Sequence, residues 1–546
     1  MSDPVPVNVP VNGAVPAVVT QPPPLDTDDR RQVDLIRRFG TMGSLLLAFG
    51  ALGAGASPVY NPLPSVPVLG LFARMLGVSL ALALLGMGMI ISSWLLLGRF
   101  AKPGRPRLIS RAQLNRTVLM WGTPLVFVMP LFSKDVYSYL AQSSIVSRGL
   151  DPYELGPGQA LGQDDPLVRG VSNMWRDTPA PYGPLFLYLG HLLNSVTGNH
   201  VVTGVLMQRL LAILGIALFV WALPRLARRF GVQPVTALWF GAANPLVLFH
   251  LVAGVHNEAL AIGLMMAGFE IALRYLPRHG DPPLASPRKE WAFVLLGVAV
   301  ITLGAAVKLP ALVAAAFVGV LVTRRWGGGI PRFFAVGALF VATAAVTMAI
   351  ACFGTGLGFG WVGALDTPSL VRSWMSPVSE LGNLGGILGI VLGLGNHTTA
   401  VLEIFTLLGY VTAALITVKL MWDSLSGRRS VMTGLGASLA AWLILHPAMQ
   451  PWYLLFPAIP LAASLAGTKR FRRLATIGCA VAAVLLPPTG STFVGRTYVL
   501  VFAYIAAIVV LLVLLLLMNR RVPLLAPKVT EVAPSRGPED ITTSNP

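Results

Sequence analysis

The chain has 546 residues, of which 55% are hydrophobic and only 11% charged, against about 25% charged in an ordinary soluble domain; its mean hydropathy is +0.72. That balance excludes a soluble globular protein. The net charge of +18 does not point to nucleic acid, because most of the 40 Lys and Arg fall in short clusters between apolar stretches, the positive-inside pattern of a multispan protein whose secondary partner is membrane lipid.

Residues 1–38, rich in Pro, Val and Asn, read as a disordered cytoplasmic tail. Placing the basic clusters on the inner side puts a first crossing at 41–57, a return at 71–97 and a third crossing at 117–132. Asp135 therefore emerges outside. The next basic cluster, Arg225 to Arg229, allows one crossing before it, at 201–223. The short apolar stretch 184–196 then lies in or at the outer interface. The external segment 133–200 is long for a connection, and long connections are commonly functional.

Further spans are placed at 235–253, 259–276, 291–307, 310–323, 333–352, 401–421, 431–445, 453–465, 475–487 and 498–518. The total is about fourteen, in a transmembrane domain 39–518 followed by a cytoplasmic tail 519–546. A second external stretch, 354–398, carries an interfacial piece at 384–394. None of the spans alternates with a period of two, as a membrane barrel requires. The fold class is an all-α polytopic membrane protein. Cys352 and Cys479 lie in apolar stretches and read as small core residues.

This topology brings four polar motifs to one face. They are Lys134-Asp135-Val136-Tyr137, Gly254-Val255-His256-Asn257-Glu258, Val307-Lys308-Leu309-Pro310, and the run from His446 through Gln450 to Trp452-Tyr453. Singly, each has a bland reading. Asp135 is a helix cap, His-Asn-Glu a polar hairpin, Lys308 a snorkelling lysine, and Trp452 with Tyr453 an interfacial belt. Arg209, well inside a predicted span, demands a partner or a water cavity. Together the motifs suggest a shared outward-facing cavity.

Nucleotide signatures are absent. There is no Walker A sequence, no glycine fingerprint after a strand and no His-Glu-x-x-His helix. No cofactor or metal is expected.

The run Phe132 to Gln142, Gly149-Leu150-Asp151-Pro152-Tyr153, Ala180-Pro181-Tyr182-Gly183-Pro184, Gly254 to Glu258, Ala306-Val307-Lys308 and Pro451-Trp452-Tyr453 resemble the actinobacterial polyprenyl-phosphomannose-dependent α-1,6-mannopyranosyltransferases. The resemblance implies a GT-C glycosyltransferase bundle whose catalytic carboxylate lies in the first large external loop, where Asp135 occupies the matching position. It implies a polyprenyl-phosphate-mannose donor and a lipid-anchored mannan acceptor at the plasma membrane, with the active site on the extracytoplasmic side.

Under that reading Asp135 takes the proton from the attacking hydroxyl. Lys308 first, then His256 and Arg372, stabilise the departing phosphate. Lys134, Tyr137, Asn257, Glu258, His446, Gln450, Trp452 and Tyr453 bind the sugars; Lys134 has an alternative role, pairing with Asp135 to keep it ionised. Two competing readings stay open: a lipid-linked sugar flippase or transporter, and a related enzyme using another polyprenyl-phosphate sugar such as arabinose. No internal repeat of the kind common in transporters is visible.

Overall fold

The computed structural model describes residues 23–105, 107–278, 281–370, 372–489 and 497–521. Most of both expected tails, 1–22 and 522–546, lies outside the described residues. Long helices dominate, and no strand occurs among the described residues. The first helix, α1 (Thr27–Ala54), begins inside the stretch assigned to the tail, because Asp26 accepts a hydrogen bond from the Asp29 amide and Asp28 and Asp29 fill the acidic first turn. Residues 27–38 are therefore helical, not disordered.

Then come α2 (Leu76–Ala101), α3 (Arg111–Val126), α4 (Asp135–Ser147), α5 (Pro184–Thr197) and α6 (Val201–Arg229). The chain continues through α7 (Pro234–Gly241), a π-helical turn (Val247–Ala253), α8 (Glu258–Leu273), α9 (Pro287–Ala305) and α10 (Val313–Arg325). The remainder is α11 (Ile330–Gly354), α12 (Pro377–Val391), α13 (Thr398–Leu425), α14 (Val431–Ile444), α15 (Leu455–Ser464), α16 (Lys469–Leu485) and α17 (Thr497–Arg521). Between α4 and α5 lie three short helices, Pro157–Leu161, Pro166–Gly170 and Asn173–Arg176.

Six of these helices (α1, α2, α6, α11, α13 and α17) are long and apolar enough to cross a bilayer alone, and the π-helical turn with α8 makes a seventh, bent by 111°. The fourteen expected crossings thus do not map one for one onto long helices. The predicted span 235–253 is interrupted at Asn244-Pro245, where the Asn244 side chain accepts from the Leu246 amide. The predicted span 117–132 ends as a helix at Val126. Elsewhere short helices are joined by single-turn 3-10 segments at Leu309–Leu312 and Pro451–Leu454. Irregular backbone at membrane depth is tolerated only where protein buries it or it lines a cavity. Here those breaks carry the polar motifs.

The bundle closes through small residues. Gly215 of α6 faces Gly263 and Ala259 of α8 so closely that a Cβ at Gly215 or Gly263 would overlap the neighbouring backbone; such contacts are how helices associate without a hydrophobic drive in lipid. α11, α13 and α17 leave most of their apolar surface uncovered by protein, as lipid-facing helices do.

Candidate active site

Two irregular loops build the core of the site. The first, 127–134, leads from α3 into α4. The second, 254–257, links the π-helical turn to α8. Each holds a bulky residue in the left-handed region: Phe132 at φ 70° and Val255 at φ 59°. Side chains of that kind avoid this conformation, and such strain clusters at functional sites. The loops are fastened to each other, since the Leu131 amide donates to the Ala253 carbonyl at 3.3 Å.

Arg209 completes the fastening. It is fully buried in α6 and donates to the carbonyls of Val252 at 3.0 Å, Ala253 at 3.4 Å and Val126 at 2.7 Å. The partner that the sequence demanded is therefore backbone. A cation at two helix C-termini meets both the unpaired carbonyls and the negative ends of the helix dipoles. It sets the distance between the loop carrying Asp135 and the loop carrying His256.

On that frame, His256 Nδ1 lies 3.4 Å from Asp135 Oδ2 and 3.9 Å from Glu258 Oε2. Its other nitrogen, Nε2, lies 3.3 Å from Ser133 Oγ, and that hydroxyl accepts from the Asp135 amide at 3.2 Å. The imidazole is pinned from above by Trp452, stacked at 3.8 Å and 17°. Glu258 pairs in turn with the Lys308 ammonium, which also donates to Tyr453 Oη at 3.3 Å and sits 4.4 Å from the centre of that ring. Burial lowers the proton affinity of Lys308, but Glu258 and Tyr453 outweigh it and hold the ammonium charged, above the usual lysine range.

Exposure separates the two carboxylates. The Asp135 side chain is 21% exposed and the Glu258 side chain 1%. Asp135 is thus the carboxylate partly open to solvent, whereas Glu258 is buried against Lys308. Tyr139 and Tyr182 stand edge to face at 5.2 Å, within electrostatic reach of both carboxylates. Burial first, then neighbouring acidic groups, keep both phenols protonated well above the ordinary value. They are hydrogen-bond donors at this site. Asn257, also buried, has both amide atoms without a partner among the described residues.

The remaining candidates are placed as follows. Tyr137 turns away, its hydroxyl donating to the Ala56 carbonyl at 2.5 Å. Lys134 is the half-buried N-cap residue of α4, and it is the His256 ring that lies 3.4 Å from the Asp135 carboxylate. His446 Nδ1 accepts from the Ala448 amide at 3.0 Å; burial, with the Lys308 charge behind it, lowers its pKa to about 4. Gln450 caps the 3-10 turn that presents Trp452 and Tyr453. Arg372 is exposed and donates to Thr399 Oγ1 at 3.1 Å, on α13, so it does not join the cluster of Asp135, His256, Glu258 and Lys308.

Ser133, Tyr139 and Tyr182 were not singled out by sequence reasoning, although each lies in a quoted motif. The usable signal for Ser133 was its position two residues before Asp135 at a helix start, the spacing of a side-chain-to-backbone turn. No group of three or more His, Cys, Asp or Glu is placed to hold a metal ion among the described residues.

An acid–histidine pair and a buried acid–lysine pair, with one partly exposed carboxylate, meet in a helical membrane bundle, as the site of a membrane-embedded enzyme would. Residues 37–324 match the family described as alpha-(1->6)-mannopyranosyltransferase, N-terminal domain, and residues 378–516 match that described as the MptB C-terminal domain. The chain is 43% identical over 532 residues to a probable alpha-(1->6)-mannopyranosyltransferase of Mycolicibacterium smegmatis, covering 94% of this chain and 93% of that one. It is also 43% identical over 475 residues to an alpha-(1->6)-mannopyranosyltransferase of Mycobacterium tuberculosis, covering 81% and 80%. A solved oligosaccharyltransferase from Archaeoglobus fulgidus aligns over 80% of this chain and 56% of its own, with a TM-score of 0.35 and 11% identity. The chain belongs to the alpha-(1->6)-mannopyranosyltransferase family and is a glycosyltransferase.

Proposed function

We propose that this enzyme transfers mannose from a polyprenyl-phosphate-mannose donor to the O6 hydroxyl of a growing, lipid-anchored α-1,6-mannan on the extracytoplasmic face, inverting the donor's β-linkage in one displacement. Family membership supports mannosyl transfer. The observation that carries the mechanism is Asp135: a carboxylate held by His256 yet open to an incoming hydroxyl.

In this reading the acceptor hydroxyl loses its proton to Asp135 as its oxygen attacks the anomeric carbon. The bond to the polyprenyl phosphate breaks on the opposite side, and the phosphate leaves with the bonding pair. His256 holds the carboxylate in place and is itself oriented by Ser133 and Trp452. An ammonium has three donors. Those of Lys308 that go to Glu258 and Tyr453 leave one for a phosphate oxygen, and the protonated phenols of Tyr139 and Tyr182 add neutral donors nearby. Asn257 supplies an amide to a sugar hydroxyl. The membrane setting suits a donor whose sugar and phosphate reach the site while its tail stays in lipid.

The test is reconstitution of the purified enzyme with polyprenyl-phosphate-mannose and a synthetic α-1,6-dimannoside. The expected product is a trimannoside whose new linkage is α-1,6 by NMR. A product formed equally well from polyprenyl-phosphate-arabinose, or donor crossing the bilayer with no glycan made, would overturn the assignment.

A further inference from the structure

The helices α6, α8 and α10 each run from the active site to the other end of the bundle. α8 begins at Glu258 and ends at Leu273, α10 follows the turn after Lys308 and ends at Arg325, and α6 ends at Arg229. Sixteen residues of helix in α8 rise about 24 Å, close to the hydrocarbon thickness of a bilayer. Where these three helices end, a cleft of about 130 Å³ opens, lined by Arg229, Arg278, Arg324 and Arg325 with Phe230 and Leu321 among its apolar walls.

The charge of this cleft is cancelled only in part, by Glu290 on Arg325 and by Glu270 and Asp281 acting on Arg229. Arg325 is paired with Glu290 at 3.4 Å, and Arg229 is anchored on the carbonyls of Leu273 at 3.1 Å and Leu276 at 2.7 Å. Arg278 donates to the Arg228 carbonyl at 3.1 Å, and Arg324 to the Ser424 carbonyl at 3.3 Å. Among the described residues neither Arg278 nor Arg324 forms an ion pair. Their guanidinium groups are positioned by backbone, which fixes their geometry without neutralising them. Planar guanidinium groups match the paired oxygens of a phosphate.

Aromatic residues give the depth of the cleft. Trp291 and Trp326 stack at 5.9 Å, Arg325 lies over Trp326 at 5.6 Å, and Lys289 lies over Tyr275 at 4.3 Å. Tryptophan and tyrosine interleaved with cations mark the headgroup layer. A polar rim at that depth over apolar walls fits a ligand that is charged at one end and greasy at the other.

We propose that this cleft binds the phosphodiester headgroup of an anionic phospholipid from the leaflet opposite the active site, with its glycerol and upper acyl carbons against Phe230 and Leu321. The site is separate from that of the sugar donor, which lies at the far end of the same helices, and the proposal does not depend on the reaction catalysed there.

Native mass spectrometry of the full chain released from phosphatidylcholine nanodiscs doped with phosphatidylglycerol tests it. Wild type is expected to retain one phosphatidylglycerol. The Arg278→Gln, Arg324→Gln variant is expected to lose retention roughly thirtyfold, at about fivefold per basic residue. The Arg288→Gln, Arg428→Gln variant, which removes the same charge from exposed positions outside the cleft, keeps it. The Arg278→Lys, Arg324→Lys variant keeps the charge but not the planar fork, so it is expected to unfold at the wild-type temperature and to retain lipid at a level between wild type and the Gln variant, which separates loss of charge from loss of fold. Equal loss in the Gln and control variants would show diffuse surface attraction and overturn the site. Displacement of the lipid by excess inorganic phosphate at equal affinity would show a free-anion site and overturn the lipid assignment.

Discussion

The two ends of α6, α8 and α10 handle charge in opposite ways. At the active-site end there are few charges, nearly all buried, and the carboxylates are answered by side chains, Asp135 by His256 and Glu258 by Lys308, with Arg209 alone held by backbone. At the other end arginines crowd together and are answered largely by backbone carbonyls. The net charge of +18 reflects clusters of the second kind, the positive-inside pattern expected of a multispan protein. The chemistry sits where charge is sparse and expensive to hold. Removing one partner should therefore hurt far more at the first end than at the second.

The largest stability effect expected from breaking this pattern is at Lys308. Lys308→Met leaves the Glu258 carboxylate buried and unpaired, which costs about 3–5 kcal/mol, read as a fall in the melting temperature of the detergent-purified enzyme. The double variant Glu258→Gln, Lys308→Met should recover most of that stability without recovering activity. If the double variant is as unstable as the single one, the pair is not what holds Lys308 in place.

Arg209→Met comes next. It strips donors from three carbonyls at the ends of α3 and the π-helical turn, and hydrogen bonds from a charged group are worth about 1.5–3 kcal/mol. Because the two loops then move apart, kcat should fall more than KM rises. A variant that loses stability with an unchanged kcat would mean that Arg209 supports the fold without setting the site.

A smaller effect is carried by pH. His446 has a folded pKa of about 4 against an ordinary 6.5, so between those values the folded protein binds fewer protons than the unfolded chain. Its contribution is complete above pH ~6.5 and lost as the pH falls towards about 4. Allowing for its partial exposure, this is ~1–2 kcal/mol, and His446→Gln should flatten the melting temperature across that window. The smallest effect belongs to the basic end: Arg288→Gln, exposed at the start of α9, should shift stability by no more than ~0.5 kcal/mol and leave kcat unchanged.

The sequence made the helical membrane class legible because composition and the spacing of basic clusters suffice for it. It also brought Asp135, His256, Glu258, Lys308, Trp452 and Tyr453 to one face, since all lie where apolar runs stop. Hydropathy could not show that those stops are breaks inside the bundle. The turns at 309–312 and 451–454 shorten the helices beside them, so a count of apolar windows overstates the long crossings. Nor does hydropathy report direction, which is why Tyr137 and Tyr139, two residues apart on one helix, could not be told apart until one was seen bonded to Ala56 and the other facing Tyr182. Arg209 was visible as an anomaly, but its carbonyl partners come from α3 and the π-helical turn and carry no sequence signature. Arg372 was expected at the phosphate and instead contacts α13.

The most direct test of the central claim is single-turnover transfer from polyprenyl-phosphate-mannose to an α-1,6-dimannoside by wild type and by Asp135→Asn, with donor binding measured on the same preparations. The account predicts that the Asn variant folds, binds donor as wild type does and transfers roughly 10²–10⁴-fold more slowly. Equal transfer rates in the two proteins would contradict it and make Asp135 a structural partner of His256.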